Sequence, residues 1–185
     1  MADKRIVLGI DPGTAVVGYG VIKQAQQQLQ AVQYGIIRLH RYKSHALKLQ
    51  KIFARICELV DDFKPDEMAL EAPFYGKNVQ AMLKLGRAQG VAMAAALARE
   101  VAITEYAPRK VKQAVTGHGS ASKEQVARML VSLLQLQAMP DLFDASDALA
   151  VAVCHAYQGQ QASNKPLRWE QLLHAQPTRV QRTTS

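Results

Sequence analysis

The chain opens on an almost wholly apolar, partly β-branched run, Arg5 to Asp11 (RIVLGID), the pattern of a strand covered on both faces. Turn chemistry at Asp11-Pro12-Gly13-Thr14 interrupts it. Tyr19 to Lys23 and Leu29 to Leu39 then read as two further strands joined by a polar hairpin around Gln26 to Gln28, which makes an antiparallel three-strand start. From Ser44 to Phe63 the period changes. Leu47, Leu49, Ile52, Phe53, Ile56, Leu59 and Val60 recur at helical spacing, with Ser44 as a cap. A short strand, Met68 to Glu71, precedes a helix over Asn78 to Glu100, which leads to the strand Ala102 to Tyr106. Pro108 opens a basic helix that ends at Gly117, and Ser122 to Leu134 is another, with Gln125 completing a capping box. A last helix begins between Asp141 and Asp144 and runs to Tyr157, with Gly159 as its stop.

This order predicts an α/β fold, a mixed five-stranded sheet flanked by helices, over residues 1–158. After Gly159 the apolar periodicity fades into Gln, Ser, Asn, Pro, Thr and Arg, so 159–185 is expected to be a flexible basic tail. Trp169, Leu172 and Leu173 could form one amphipathic turn there, but a short isolated helix is marginal in water.

Composition narrows the picture. With 185 residues, 49 % apolar and 21 % charged, the chain has the makings of one folded domain and not of a disordered one. The longest apolar run, Val91 to Ala98, is far short of the roughly 20 residues of a membrane span. Lys4 and Arg5 precede an apolar run that Asp11 and Pro12 cut off before a secretory core of about 7–15 residues forms, so a cytoplasmic protein without membrane contact is expected. Cys57 and Cys154 have no paired spacing for a disulfide framework or a zinc site and read as small core residues.

Four carboxylates stand out. Asp11 and Glu71 each end an apolar strand, where sites form in such sheets. Asp144 and Asp147, three apart, share one face of the last helix about 5–6 Å from each other. Capping explains Asp141 well, because acids complement the free N–H groups of a first turn. It explains Asp147 poorly, since Ala-Leu-Ala-Val-Ala-Val follows it on a helix with scarcely a polar face. An acid ending a buried strand costs free energy unless its charge is compensated, and a hard divalent ion such as Mg²⁺ with all-oxygen ligands would compensate it. In a two-ion site, metals about 3.5–4 Å apart activate water and stabilise the leaving oxygen of an in-line displacement.

The net charge of +8 supplies the matching substrate class. Arg38, Arg41, Lys43, Lys48, Lys51 and Arg55 fall in a stretch, 38–55, that contains no acid, and Arg109, Lys110, Lys112, Lys123 and Arg128 form a second concentration. Any one of them could serve solubility alone. The lack of compensating acids favours phosphate backbones as the partner.

Together the residues resemble the RuvC family of Holliday junction resolvases, metal-dependent endonucleases with a ribonuclease H-like fold, over residues 5–158. The motifs are Leu8-Gly9-Ile10-Asp11-Pro12-Gly13-Thr14 with Gly18-Tyr19-Gly20; Leu70-Glu71-Ala72-Pro73-Phe74 with Lys77-Asn78; Leu83-Lys84-Leu85-Gly86 with Gly90-Val91; Tyr106-Ala107-Pro108-Arg109-Lys110-Val111-Lys112-Gln113; Gly117-His118-Gly119; and Asp144-Ala145-Ser146-Asp147-Ala148-Leu149-Ala150 with His155. The resemblance implies that Asp11, Glu71, Asp144 and Asp147 are the catalytic, metal-binding acids, holding Mg²⁺, two ions per site, with Mn²⁺ as a substitute. It implies a homodimer that places two sites on a four-way DNA junction, cuts strands of like polarity and works with a branch-migration motor of the RuvA and RuvB type. Lys112 and Lys123 match basic residues near the scissile phosphate, and Phe74 matches the aromatic residue at the junction centre. One departure concerns Gly86-Arg87-Ala88-Gln89-Gly90, where the family usually has Gln and then Arg, so any contact of that arginine is left open.

Rival readings exist. Asp11-x-Gly13-Thr14 with Gly18 also resembles the first phosphate loop of actin-like ATPases and sugar kinases, but those need two such domains and no Gly-x-x-x-x-Gly-Lys-Ser/Thr loop is present. A non-catalytic junction binder could discard the acids, and an RNA-directed nuclease would share the fold. His155, eight residues beyond Asp147, is expected to be a hydrogen-bonded structural residue. Gly86, Gly90, Ala94 and Ala98 form a small-residue stripe suited either to a two-fold partner or to the chain's own sheet. Phe74 and Tyr75 are open to stacking on a base or to stapling the following helix near Met82.

Overall fold

The order β3-β2-β1-β4-β5 puts β1 (Lys4–Asp11) at the centre of one sheet. β2 (Val16–Ala25) pairs antiparallel with it and with β3 (Gln28–Arg38), while β4 (Glu67–Glu71) is parallel to both β1 and β5 (Ala102–Tyr106). The computed structural model describes residues 4–73, 78–138, 140 and 143–158. Phe74, Tyr75, Lys77, Asp141, Gly159 and the 159–185 segment with Trp169, Leu172 and Leu173 lie outside the described residues, and with them the expectations placed there.

Alternation along β1 sends Leu8 and Ile10 to one face and Val7 to the other, as the two-residue strand period requires. The first face carries α1 (His45–Phe63) and α2 (Val79–Leu97), with Ile52, Ile56, Ala92 and Ala96 packed on Leu8, Ile10 and Leu70. The second carries α5 (Phe143–Gln158), supported by α3 (Pro108–Thr116) and α4 (Lys123–Leu133). α5 is buried from Ala145 through Ala156 apart from Asp147, the placement expected of a helix that is apolar nearly all round. Its close approach depends on missing side chains: a Cβ on Gly9 would overlap the Ala148 carbonyl oxygen, and one on Gly18 the Asp144 carbonyl oxygen.

The expected α/β architecture is present, with local differences. Ser44 occupies the N-cap position of α1, yet its side chain makes no capping hydrogen bond. Asn78 caps α2 instead of starting it, accepting from Ala81 N at 3.0 Å, and that helix ends at Leu97. The capping box of Ser122 and Gln125 forms on α4, and Gly117 ends α3 at a φ of 81°, in the left-handed region open to glycine. Leu47 and Phe53, expected on the core stripe of α1, are 48 % and 42 % exposed. Both cysteines are free and buried. Among the described residues no helix is long and apolar enough to cross a membrane.

Candidate active site

Ile10 and Leu70 are register partners in the parallel β1–β4 pair, so the next residues, Asp11 and Glu71, end neighbouring strands side by side. Both point to the face covered by α5, whose first turns bring Asp144 and Asp147 over the same strand ends. Asp11, Glu71 and Asp147 line one cavity of about 120 Å³, together with Lys112 of α3 and Lys123 of α4. Val111, Val126 and Ala150 form its apolar wall. Asp144 is not part of that lining, but its charge acts on Asp11. Five of the seven residues singled out in the sequence therefore share one cavity, Asp144 stands beside it, and Phe74 is outside the described residues.

The electrostatics follow from that crowding. Burial, reinforced by the negative charges of Asp147, Glu71 and Asp144, pushes the Asp11 carboxyl up to about 8, with Lys123 opposing. Burial and Asp147 likewise raise Glu71 above the ordinary carboxylate range, against Lys123 and Lys112. Lys123 donates from Nζ to Asp147 Oδ2 at 2.5 Å, and this hydrogen bond raises its affinity for its own proton.

Among the described residues, no group of three or more His, Cys, Asp and Glu side chains is gathered closely enough to hold a metal as it stands. Asp147 is turned to Lys123, so that ammonium supplies the positive charge in the cluster. The donor set is nonetheless suited to a hard divalent cation. It is all carboxylate, and an acid held near 8 by burial and by its acidic neighbours is one that a cation would return to the charged form.

A second constellation sits farther along α5. His155, only 4 % exposed, lies with Nδ1 2.8 Å from the Tyr106 hydroxyl and Nε2 3.0 Å from Glu67 Oε2 and 2.9 Å from Arg5 Nη2. Arg5 and Glu67 are themselves ion-paired. Burial lowers the proton affinity of His155 below its ordinary value, outweighing the Glu67 contact. The expected structural role for His155 agrees with this placement. Its partner Glu67 was missed because β4 was expected to start at Met68, leaving Glu71 as its one acid; the strand begins one residue earlier. Arg87 is exposed, whereas Gln89 is buried and donates its amide N–H to Glu105 of β5.

The family model described as crossover junction endodeoxyribonuclease RuvC matches residues 7–155. Proteins of that name from Cytophaga hutchinsonii and Porphyromonas gingivalis are 55 % and 50 % identical to this chain, covering 95 % and 96 % of it and 88 % and 97 % of their own lengths. A solved structure of Thermus thermophilus RuvC in complex with Holliday junction substrate superposes with a TM-score of 0.78 at 31 % identity, over 88 % of this chain and 99 % of that one. The sheet order and the acids at its strand ends define a ribonuclease H-like nuclease fold, and the chain belongs to the RuvC family of crossover junction endodeoxyribonucleases.

Proposed function

We propose that this chain resolves four-way DNA junctions by metal-dependent hydrolysis of phosphodiester bonds, with Asp11, Glu71, Asp144 and Asp147 as its metal-binding catalytic acids. The observation that carries the assignment of the site is the single cavity lined by three of these acids and two lysines. Mg²⁺ is the ion proposed, two per site, with Mn²⁺ able to replace it. Such ions, held by carboxylates, supply an activated water and stabilise charge on the leaving oxygen.

The chain's own residues do the rest. Lys112 and Lys123 flank the acids and attract the scissile phosphate into a cluster that would otherwise repel it. Asp147 would help hold the ion, and Lys123, which pairs with Asp147 at 2.5 Å, would then be placed to contact a phosphate oxygen. The apolar wall of Val111, Val126 and Ala150 limits access of bulk water to the reacting atoms. Water, giving up a proton to solvent, adds to phosphorus as the bond to the 3′ oxygen breaks, and that oxygen takes up a proton, which leaves a 5′ phosphate and a 3′ hydroxyl that can be religated. Phe74, three residues after Glu71, is the proposed aromatic contact at the junction centre.

A four-way junction presents two equivalent strands, so two sites related by a two-fold axis are needed for a symmetric cut. The outward stripe of α2 supports a homodimer. Gly86, Gly90, Ala94 and Ala98 are exposed, and a Cβ at either glycine would meet nothing within 4 Å. That is incompatible with packing of the stripe on the chain's own sheet. Leu83 and Leu97, also exposed, extend the same apolar face. A branch-migration motor of the RuvA and RuvB type is the proposed working partner, in the cytoplasm, with residues 1–158 as the nuclease domain and 159–185 as a tail. Mapping the cuts on a junction labelled on each strand in turn tests the reading: two symmetric cuts in strands of like polarity are expected, and cuts in strands of opposite polarity would overturn it.

A further inference from the structure

The acid-free stretch 38–55 folds into a surface separate from the active cavity. Val16 pairs with Arg38 at the end of β3, two strands from β1 and so about 10 Å across the sheet. α1 starts from the same end, on the face opposite α5. Leu39 N and His40 N donate to the Ala15 carbonyl at 2.8 and 3.2 Å, and Lys48 Nζ lies 3.4 Å from the Thr14 carbonyl oxygen. These contacts fix the segment against the loop that follows Asp11. Arg38, Arg41, Lys43 and Lys51 are exposed on it, and none of them forms an ion pair among the described residues. Lys51 stands 5.9 Å over the Tyr42 ring, which leaves its charge available. Arg55, by contrast, is engaged by Glu58 and Tyr19 and ends the patch. The first turn of α1 has no acid and no side-chain cap, so its free N–H groups add to the same positive field.

The other basic group, Lys112 and Lys123, lines the cavity on the α5 face. The two positive surfaces thus flank the acids from opposite faces of the sheet. A phosphate seated at the acids cannot also cover Arg41 or Lys51, and a cluster of four unpaired cations is a poor neighbour for anything but a polyanion.

We propose that Arg38, Arg41, Lys43 and Lys51 form a second DNA track that grips the backbone of a junction arm other than the one being cut. The inference rests on the junction-resolving reading given above. This track contributes to selection of the branched substrate and takes no part in bond cleavage. A linear duplex occupies the cavity-side track alone, whereas a junction engages both.

The test is binding and single-turnover cleavage by the combined variant Arg38→Gln, Arg41→Gln, Lys43→Gln, Lys51→Gln, measured on a fixed-sequence four-way junction and a linear duplex. Binding is titrated in Ca²⁺ across a range of salt. Junction affinity is expected to fall at least about tenfold near 0.1 M salt, and its log–log salt slope to drop by up to about 7, roughly one counterion for each of four lost contacts on each protomer of the dimer. Duplex affinity should change less than about twofold, and the cleavage rate at saturating protein should stay within about twofold. The charge-keeping pair Arg38→Lys, Arg41→Lys should bind as the parent does, and Lys4→Gln with Lys23→Gln, at the other end of the sheet, should leave selectivity unchanged. Equal losses for junction and duplex, or none for either, would overturn the proposal. A parent protein that binds the junction no better than the duplex would instead sink the junction-resolving reading itself.

Discussion

Gly18 and Asp144 share one space: the side chain that Gly18 lacks is where the Asp144 backbone carbonyl lies. Gly18 is also the register partner of Asp11 across the β1–β2 pair. The absence of a Cβ therefore sets how closely the first turn of α5 approaches the strand end that carries Asp11. Gly18→Ala should displace that turn at a cost of about 1–3 kcal/mol, the usual range for overpacking. A thermal melt should show the loss, and junction cleavage should fall at least tenfold while junction binding persists. Full activity in a protein of unchanged melting temperature would show that α5 does not depend on this contact.

Asp11 gives a pH signature. Its folded carboxyl is raised to about 8 from 3.8, so between those values the folded state holds a proton that the unfolded state has lost. Stability from this group is accordingly largest at low pH and declines as pH rises towards 8. In chelator, the parent melting temperature should fall more steeply between pH 6 and 8.5 than that of Asp11→Asn. Addition of Mg²⁺ should release protons over the same interval, because the cation binds the charged form. Calorimetry in two buffers of different ionisation enthalpy counts them; no proton release at pH 7 would argue against Asp11 as a ligand.

Substitution of the acids one at a time separates chemistry from binding. Asp11→Asn, Glu71→Gln, Asp144→Asn and Asp147→Asn should each abolish cutting, with junction affinity kept or raised, since negative charge near phosphates is removed. Near-normal cleavage by any one variant removes that residue from the site. Asp144 is the most informative, because it lies outside the cavity lining shared by the other three.

His155 is a matter of stability. Burial keeps its folded proton affinity below the ordinary value, and Glu67 is held below its own by the Arg5 and His155 contacts, which exceed the opposing effect of burial. Both shifts give stability that is present above the unfolded values and lost as pH falls through the window below about 6.5. His155→Gln should lower the melting temperature at pH 7.5 and flatten its decline towards pH 5. A large loss of cleavage with unchanged melting would place His155 in the chemistry.

The acids were legible because a charge ending a buried strand, or on an apolar helix, has few structural excuses. Asp11 and Asp147 satisfied that test in sequence and share one cavity in the fold. Lys123 was reached through the resemblance, and its contact with Asp147 depends on the packing of α4 on α5, which local pattern does not encode. Leu47 and Phe53 were misplaced because periodicity identifies an apolar arc without saying which edge of it meets the sheet. The direction of the Gly86–Gly90 stripe was open for the same reason: Ala88, Ala92, Ala95 and Ala96, as small as the stripe itself, are the residues that turn inward.

That outward stripe predicts assembly. Gly90→Leu should give monomers in sedimentation analysis with little change in melting temperature, since a side chain there meets nothing within the chain. A stable Gly90→Leu dimer would move the two-fold contact to another surface.

Incubation of the purified protein with a four-way junction, a linear duplex and an RNA/DNA hybrid, each with Mg²⁺ or with chelator, tests the central claim most directly. The account predicts paired symmetric nicks in the junction with Mg²⁺ alone, with the duplex and the hybrid left uncut. Cleavage in chelator, or cutting of the hybrid in preference to the junction, would contradict it.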